Sequence, residues 1–331
     1  MEEIQNENME APVNPVIPRT FDDTKVIQFQ CRKGISCWNK CCSNIDISLT
    51  PYDILRLKNR FEMGSGVFLQ KYTVPYEMDK NSIAGVKLRP VENGTACQFM
   101  TPEGCSVYED RPTACRYYPI ALLSSRRQDE YIDRESYAMV KEEHCLGHNE
   151  PREISVGDYR KEQGLTEYDE LARGWRQLIL KKQSSGPTIG APSKRSLELF
   201  FMVCYDLDRF SSFVASDGFF ALYDISAEEM KKILSDDTEL MLFGFRFLKQ
   251  ILYGENTIAL RKDAADKRKE NYQEKAQRLE LEAAERRAAM QDDAYTDQVK
   301  NNFAEIRRVR HTHHGAHGVY ALQGAPCNYN V

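Results

Sequence analysis

Apolar positions recur at helical spacing through several stretches of the chain, and local capping chemistry marks where two of those helices begin. The clearer start is Leu49-Thr50-Pro51-Tyr52-Asp53-Ile54. Thr50 can cap, Pro51 suits a first helical position that needs no N–H, and Asp53 can reach back to complete a capping box. Leu49 and Ile54 suit the hydrophobic staple around it. The spacing predicts a helix through about Phe61, with Ile54, Leu57 and Phe61 on one face. The second start is Arg111-Pro112-Thr113-Ala114-Cys115. Proline in the first turn would place the Cys115 thiol near unpaired backbone N–H groups, an environment that favours thiolate.

Further along, Tyr168–Leu180 and Ser196–Leu207 read as helices separated by a loop at Ser184–Pro192. Ile225–Leu234 and Glu239–Tyr253 read as two more, with Gly244 and Gly254 weakening the pattern locally. Residues 256–310 are charged, alanine-rich and nearly free of glycine and proline, which suits a long exposed helix. The expected fold is therefore α+β and predominantly α-helical. Its expected parts are a flexible tail over 1–25, a cysteine-rich domain over 26–151, a helical region over 152–255, a charged helix over 256–310 and a His-containing tail over 311–331.

Composition narrows the function classes. A net charge of −5 over 331 residues gives no global electrostatic reason to bind nucleic acid. The basic residues of the charged helix alternate with acids, as on a solvated face. No run of eighteen apolar residues suggests a membrane span, and the N-terminus lacks the basic start and apolar stretch of a secretory signal. A cytoplasmic location is the expectation, and there thiols stay reduced.

That expectation matters because eight of the ten cysteines lie between Cys31 and Cys145. They fall in Cys31-x5-Cys37-x3-Cys41-Cys42, in Cys97-x7-Cys105-x9-Cys115, and at Cys145. In a reducing compartment this concentration reads as metal binding before disulfide bonding. Thiolates are soft ligands suited to zinc or iron–sulfur clusters, and either usually takes four. Gly34 and Gly104 allow the backbone to bend around a bound ion. The bland alternative, buried free thiols, suits Cys204 on its apolar helix, and Cys327 also stands apart. Eight thiolates could serve two four-coordinate sites, or one centre with spare cysteines. Adjacent Cys41 and Cys42 do not easily point at the same centre. The candidate metal ligands are thus Cys31, Cys37, Cys41, Cys42, Cys97, Cys105, Cys115 and Cys145. His144 brackets Cys145 together with His148 and could replace a cysteine. His311, His313, His314 and His317 read as a solvated tail. Arg111 and Arg116 flank Cys115 and could stabilise negative charge there, or Arg111 could pair with Glu109 or Asp110. Tyr108, Tyr117, Tyr118 and Pro119 read as packing around the site.

These residues resemble the YkgJ-like cysteine-cluster family, whose CxxCxxCC motif is described as chelating zinc or iron and which also occurs in flagellin lysine-N-methylases. The resemblance rests on Cys37 with Cys41-Cys42, on the Leu49-to-Lys58 helix, on Cys97 with Gly104-Cys105, and on Tyr108-Glu-Asp-Arg-Pro-Thr-Ala-Cys-Arg-Tyr-Tyr-Pro119. It covers roughly residues 28–148, with a longer cluster loop than the family motif. It implies a zinc, iron or iron–sulfur centre serving redox or protein-modification chemistry, iron being slightly favoured by the neighbouring arginines. The alternative is a non-enzymatic, zinc-stapled module whose helical remainder meets a protein partner. Methyl transfer enters by resemblance alone. The glycine-rich Met63-Gly-Ser-Gly66 is too short for a nucleotide-type fingerprint, and Asn44 stands where a CxxxCxxC radical motif needs its third cysteine. No catalytic base or nucleophile is marked by the sequence.

Overall fold

The computed structural model describes residues 16–78, 83–125, 134–184, 193–267, 269–270, 273–274 and 276–290. The chain divides into two units, residues 1–261 and 262–331. In the first unit the turn-rich part yields short strands and brief helices. They are β1 (Val16–Phe21), β2 (Val26–Gln28), β3 (Ser48–Leu49), α1 (Pro51–Arg60), α2 (Ser65–Tyr72), β4 (Thr73–Glu77), β5 (Ala84–Leu88), β6 (Met100–Thr101), β7 (Gly104–Cys105), α3 (Thr113–Tyr117), β8 (Ile120–Ser125), β9 (Arg134–Val140) and β10 (Glu153–Ser155). Helices follow: α4 (Val156–Glu162), α5 (Leu165–Ser184), α6 (Lys194–Tyr205), α7 (Leu207–Val214), α8 (Asp217–Phe220), α9 (Ala227–Ser235) and α10 (Asp237–Tyr253). The fold is α+β and predominantly helical, with small antiparallel sheets in the orders β1-β9-β8, β10-β2, β3-β5-β4 and β6-β7.

Helix α1 starts as its sequence dictates. The Thr50 hydroxyl accepts from the Asp53 amide at 3.1 Å, and the Asp53 carboxylate accepts from the Thr50 amide at 2.8 Å. Leu49, Ile54 and Leu57 are buried. Helix α10 stops at Gly254, whose left-handed φ of 69° is open to glycine at little cost. The helix expected over Ser196–Leu207 breaks instead at Asp206, between α6 and α7. Asp206 accepts the Ser65 hydroxyl at 2.6 Å, and Asp208 accepts the Ser65 amide at 2.8 Å. Two carboxylates of this chain thus occupy the N-terminus of α2, where Gly64-Ser65-Gly66 lies, and supply the negative charge that a helix start favours.

Two hydrophobic cores result. The larger joins α1, α2 and the β3-β5-β4 sheet to helices α5 to α10, so the cysteine-rich stretch and the helical region share one core. The smaller is built from Ile27, Phe29, Tyr117, Ile120, Tyr137, Val156, Tyr159 and Leu165. On its flank the Tyr117 hydroxyl donates to the buried Asp169 carboxylate at 2.8 Å, which also takes Arg160 at 2.6 Å.

Three expectations change. Val16–Phe21, within the stretch read as a tail, is a strand paired with β9; Thr20 and Phe21 meet Ala138 and Tyr137. Tyr108 is exposed, with the Arg111 guanidinium 4.0 Å from its ring centroid. Residues 256–261, assigned from the sequence to the charged helix, return to the first unit, where Leu260 bridges to Tyr223. In the second unit the described residues from 264 to 290 are helical and almost all exposed. Residues 291–331, with Cys327 and the histidines of the terminal tail, lie outside the described residues, as does residues 1–15 of the expected N-terminal tail. No helix among the described residues is long and apolar enough to cross a membrane.

Candidate metal centre

The candidate cysteines come from four separate stretches of chain, and backbone hydrogen bonds draw those stretches together. Strand β2 pairs with β10, and just beyond it the Gln30 amide donates to the Gly147 carbonyl at 3.0 Å. That seam sets Cys31 beside Cys145. The Leu146 amide also donates to the Cys37 sulfur at 3.3 Å. A second seam holds the other cysteines: the Cys97 amide donates to the Cys42 carbonyl at 2.8 Å, and the Met100 amide to the Cys97 carbonyl at 3.1 Å. Met100 then pairs with Cys105 across the β6-β7 hairpin. Asn39, in the left-handed conformation at φ 66°, donates its side-chain amide to the Thr101 carbonyl at 2.9 Å and aims the Lys40–Cys42 turn at that hairpin. The Cys41 and Cys42 sulfurs stand 4.0 Å apart.

Cys115 is positioned through α3. The Asp53 carboxylate that caps α1 also accepts the Thr113 amide at 2.8 Å and the Thr113 hydroxyl at 2.7 Å. Arg116 lies buried, donating to the Arg111 carbonyl at 3.0 Å, the Gln163 carbonyl at 2.7 Å and the Tyr168 hydroxyl at 3.0 Å. It therefore fastens α3 to the start of α5 and does not lie over the Cys115 sulfur as a counter-charge. Arg111 donates to the Tyr108 carbonyl and to Gln163, while Asp110 is held by Arg56 and Arg60. The pairing of Arg111 with Glu109 or Asp110 that the sequence allowed is thus replaced.

The described cysteines are all free thiols. Cys31 is exposed at the surface, yet neighbouring protein desolvates its thiol and pushes it up to about 11, with nearby Cys41, Cys37 and Cys145 adding to the rise while Arg111 opposes it. Burial likewise raises Cys97 and Cys105; Arg111 and Arg60 work against the rise at Cys105. Cys115 also lies well above the ordinary thiol range, first through burial and then through Cys97, Cys105, Asp53 and Cys41. The thiolate expected at Cys115 from its helix start is overturned: α3 has five residues, and desolvation outweighs its few free N–H groups. Cys41 runs the other way, lowered to about 7 by its hydrogen bond with Cys42, and that bond raises Cys42. The thiols are near enough to oppose each other's ionisation, an opposition that a bound cation relieves.

Among the described residues no three Cys, His, Asp or Glu side chains already stand in the geometry of a shared metal ion. The donor chemistry nevertheless fits one. Two buried donors of the segment, the Trp38 indole N–H and the Tyr118 hydroxyl, make no well-formed hydrogen bond among the described residues, although Cys145 and Glu142 lie within reach of Tyr118. Trp38 lies against Gly104, and the Tyr118 hydroxyl lies toward Cys145 and Glu142. Metal-bound thiolates supply the acceptors such donors lack. The two described histidines are engaged elsewhere: His148 Nε2 is 3.2 Å from the Val140 carbonyl with its ring against Phe29, and His144 Nε2 is 3.5 Å from Glu142. Cys204 is completely buried in the large core, remote in role from the cluster. The sequence analysis did not single out Trp38 and read Tyr118 only as packing around the site, since the setting of a buried donor shows only in three dimensions.

Residues 30–146 match the model of the CxxCxxCC family. The family is described as a "putative zinc- or iron-chelating domain", and the matched residues contain every cysteine from Cys31 to Cys145. The CxxCxxCC segment is a little over a third of the chain, and it includes α1, α3 and the second seam, while the first seam reaches beyond it to β2, Gly147 and β10. No curated protein and no solved structure matches the chain.

Proposed function

We propose that the CxxCxxCC segment holds a resident iron or iron–sulfur centre through thiolates drawn from Cys31, Cys37, Cys41, Cys42, Cys97, Cys105, Cys115 and Cys145, and serves redox or protein-modification chemistry in the cytoplasm. What supports this reading is that backbone hydrogen bonds draw the cysteine-bearing stretches together while the thiols stay free and near enough to oppose one another's ionisation. Arg111 favours iron: it acts on both Cys31 and Cys105, and with Arg60 brings cationic charge to one side of the thiols. A cluster bound by four thiolates carries net negative charge, which guanidinium groups stabilise. Such a centre, when bound, supplies one-electron chemistry. The chain's own contribution is to hold the ligands on the two backbone seams and to offer Trp38 and Tyr118 as donors to sulfur.

One observation favours a second reading, a zinc-stapled interaction module. The thiols lie where the two cores meet: Cys42, Cys97 and Cys105 belong with the large core and Cys145 with the small one. A structural ion there would join the cores, and ion binding of this kind contributes on the order of 10 kcal/mol to folding. The deciding experiment is metal and acid-labile sulfide analysis of tag-free, anaerobically purified protein, with an absorption spectrum of the same sample. Iron with sulfide and a broad visible band is the expected result. Zinc without sulfide selects the module, and a metal-free, folded protein overturns both readings.

A further inference from the structure

We infer that strand β8 is a docking edge for a second copy of this chain, the two β8 strands pairing antiparallel about a two-fold axis at Leu122. The inference is independent of the metal reading: it concerns the free edge of the β1-β9-β8 sheet, and no cysteine takes part in it.

The ladder shows which backbone groups are free. β8 pairs with β9 in unbroken register from Ile120 with Met139 to Ser125 with Arg134. One step earlier the Val140 amide donates to the Pro119 carbonyl at 2.7 Å, which makes Pro119 and Val140 a directly bonded pair. Bonded and non-bonded pairs alternate along an antiparallel ladder. Ala121, Leu123 and Ser125 therefore turn their N–H and C=O groups to β9, and Ile120, Leu122 and Ser124 turn theirs away from it. Among the described residues none of those outward groups has a hydrogen-bond partner.

This edge also lacks protection. β8 reads Ile-Ala-Leu-Leu-Ser-Ser, without charge or proline. At the other edge of the same sheet, β1 carries Pro18, Arg19 and an irregular register between Val16 and Thr20. β4, an edge of the β3-β5-β4 sheet, carries Pro75 at its middle and Glu77 at its end. Prolines, charges and bulges are the devices that keep an edge from pairing with another chain. Leu123 is 39% exposed on the outer face of the sheet, whereas Ile120 and Leu122 face the small core.

The occupant follows from symmetry. With the axis at Leu122, that residue pairs with its own counterpart, and Ile120 pairs with Ser124 of the second copy. Each of these pairs joins residues whose N–H and C=O groups face outward, so every donor meets an acceptor. On the outer face Leu123 comes beside Ala121 of the second copy. A two-fold axis sets side chains close to their own counterparts, so a charged strand would repel itself, and β8 has no charge to repel.

The test is sedimentation of the full-length protein over a wide range of concentration, with residue-resolved amide hydrogen exchange. The wild type is expected to reach twice the mass of one chain as concentration rises, with the Leu122 and Ser124 amides exchanging more slowly in the dimer. Ser124→Pro deletes an outward N–H and leaves the bonds to β9 in place. It is expected to stay monomeric with unchanged far-UV circular dichroism and metal content. Leu123→Lys brings two like charges to one face across the axis and is expected to shift dimerisation to higher concentration, which keeps the test decisive if the proline variant does not fold. A wild type that is monomeric at every concentration overturns the inference. So does a dimer that the folded variants preserve, or exchange at Leu122 and Ser124 that ignores concentration.

Discussion

Asp53 and Thr113 are joined twice, through the amide of Thr113 at 2.8 Å and through its hydroxyl at 2.7 Å. The same carboxylate caps α1 through the Thr50 amide, so one fully buried side chain fixes both the first helix and the short helix that presents Cys115. Asp53→Ala removes the cap and strands the Thr113 donors. The expected loss is about 2–4 kcal/mol of stability, read as a lower midpoint in chemical denaturation, with a parallel loss of bound metal.

Lys58 forms a comparable link across the large core. Its ammonium, 6% exposed as a residue, lies 2.6 Å from Asp237 and 3.5 Å from Asp208. Lys58→Met keeps the packing volume and leaves the two half-exposed carboxylates to water. A loss of about 1–3 kcal/mol is expected in thermal unfolding. No loss would show that the ion pair merely offsets its own desolvation.

Gly147 is confined by its neighbours. An added Cβ would fall 2.6 Å from the Phe29 ring and 3.0 Å from the Gln30 carbonyl, on the seam that joins Cys31 to Cys145. Gly147→Ala should cost about 1–3 kcal/mol and lower metal content. Gly218→Ala, where a Cβ meets nothing within 4 Å in helix α8, should be neutral or stabilising by up to about 1 kcal/mol. Parallel unfolding and metal assays of the two variants check the contrast.

Burial opposes ionisation of Asp110, but hydrogen bonds from Arg56 and Arg60 prevail and hold its carboxyl below the usual range. A carboxylate lowered in the folded state adds stability above the unfolded value, near 4, and loses it as pH falls through the folded value. Asp110→Asn should therefore be less stable than wild type at pH 7, and the difference should close below about pH 4. Denaturant midpoints of both proteins across that range measure it.

Cys204 separates a thiol in the core from thiols at the centre. It is completely buried in the large core. Cys204→Ala should leave metal content unchanged and cost about 1 kcal/mol, as expected for a lost apolar contact. A metal loss equal to that of Cys115→Ser would remove the distinction.

The sequence made legible what local chemistry decides. The Thr50-Pro51-Asp53 capping box and the periodic apolar residues of α5 and α10 act within a few neighbours, and those helices form where their pattern lies. The crowding of eight cysteines into one stretch marked the segment that the family model covers. What stayed hidden depends on distant partners. Val16–Phe21 becomes a strand because β9 borders it, and the free Cys115 thiol is pushed up by burial, with neighbouring cysteines and Asp53 adding to the rise. Asp206 ends α6 because Ser65, far away in sequence, meets it there. Nothing in the local pattern around Cys31 reveals that Gly147 will lie across from Gln30.

The pairing of β2 with β10 also sets an order of events during synthesis. Cys31 leaves the ribosome more than a hundred residues ahead of Cys145, an interval on the order of ten seconds at ordinary elongation rates. Through that interval Cys31, Cys37, Cys41 and Cys42 are nascent-chain thiols whose partners do not yet exist. Loading in the two-seam arrangement must wait for the ribosome to pass Ser155, and until then a reducing environment or a chaperone has to keep the early thiols from wrong disulfides.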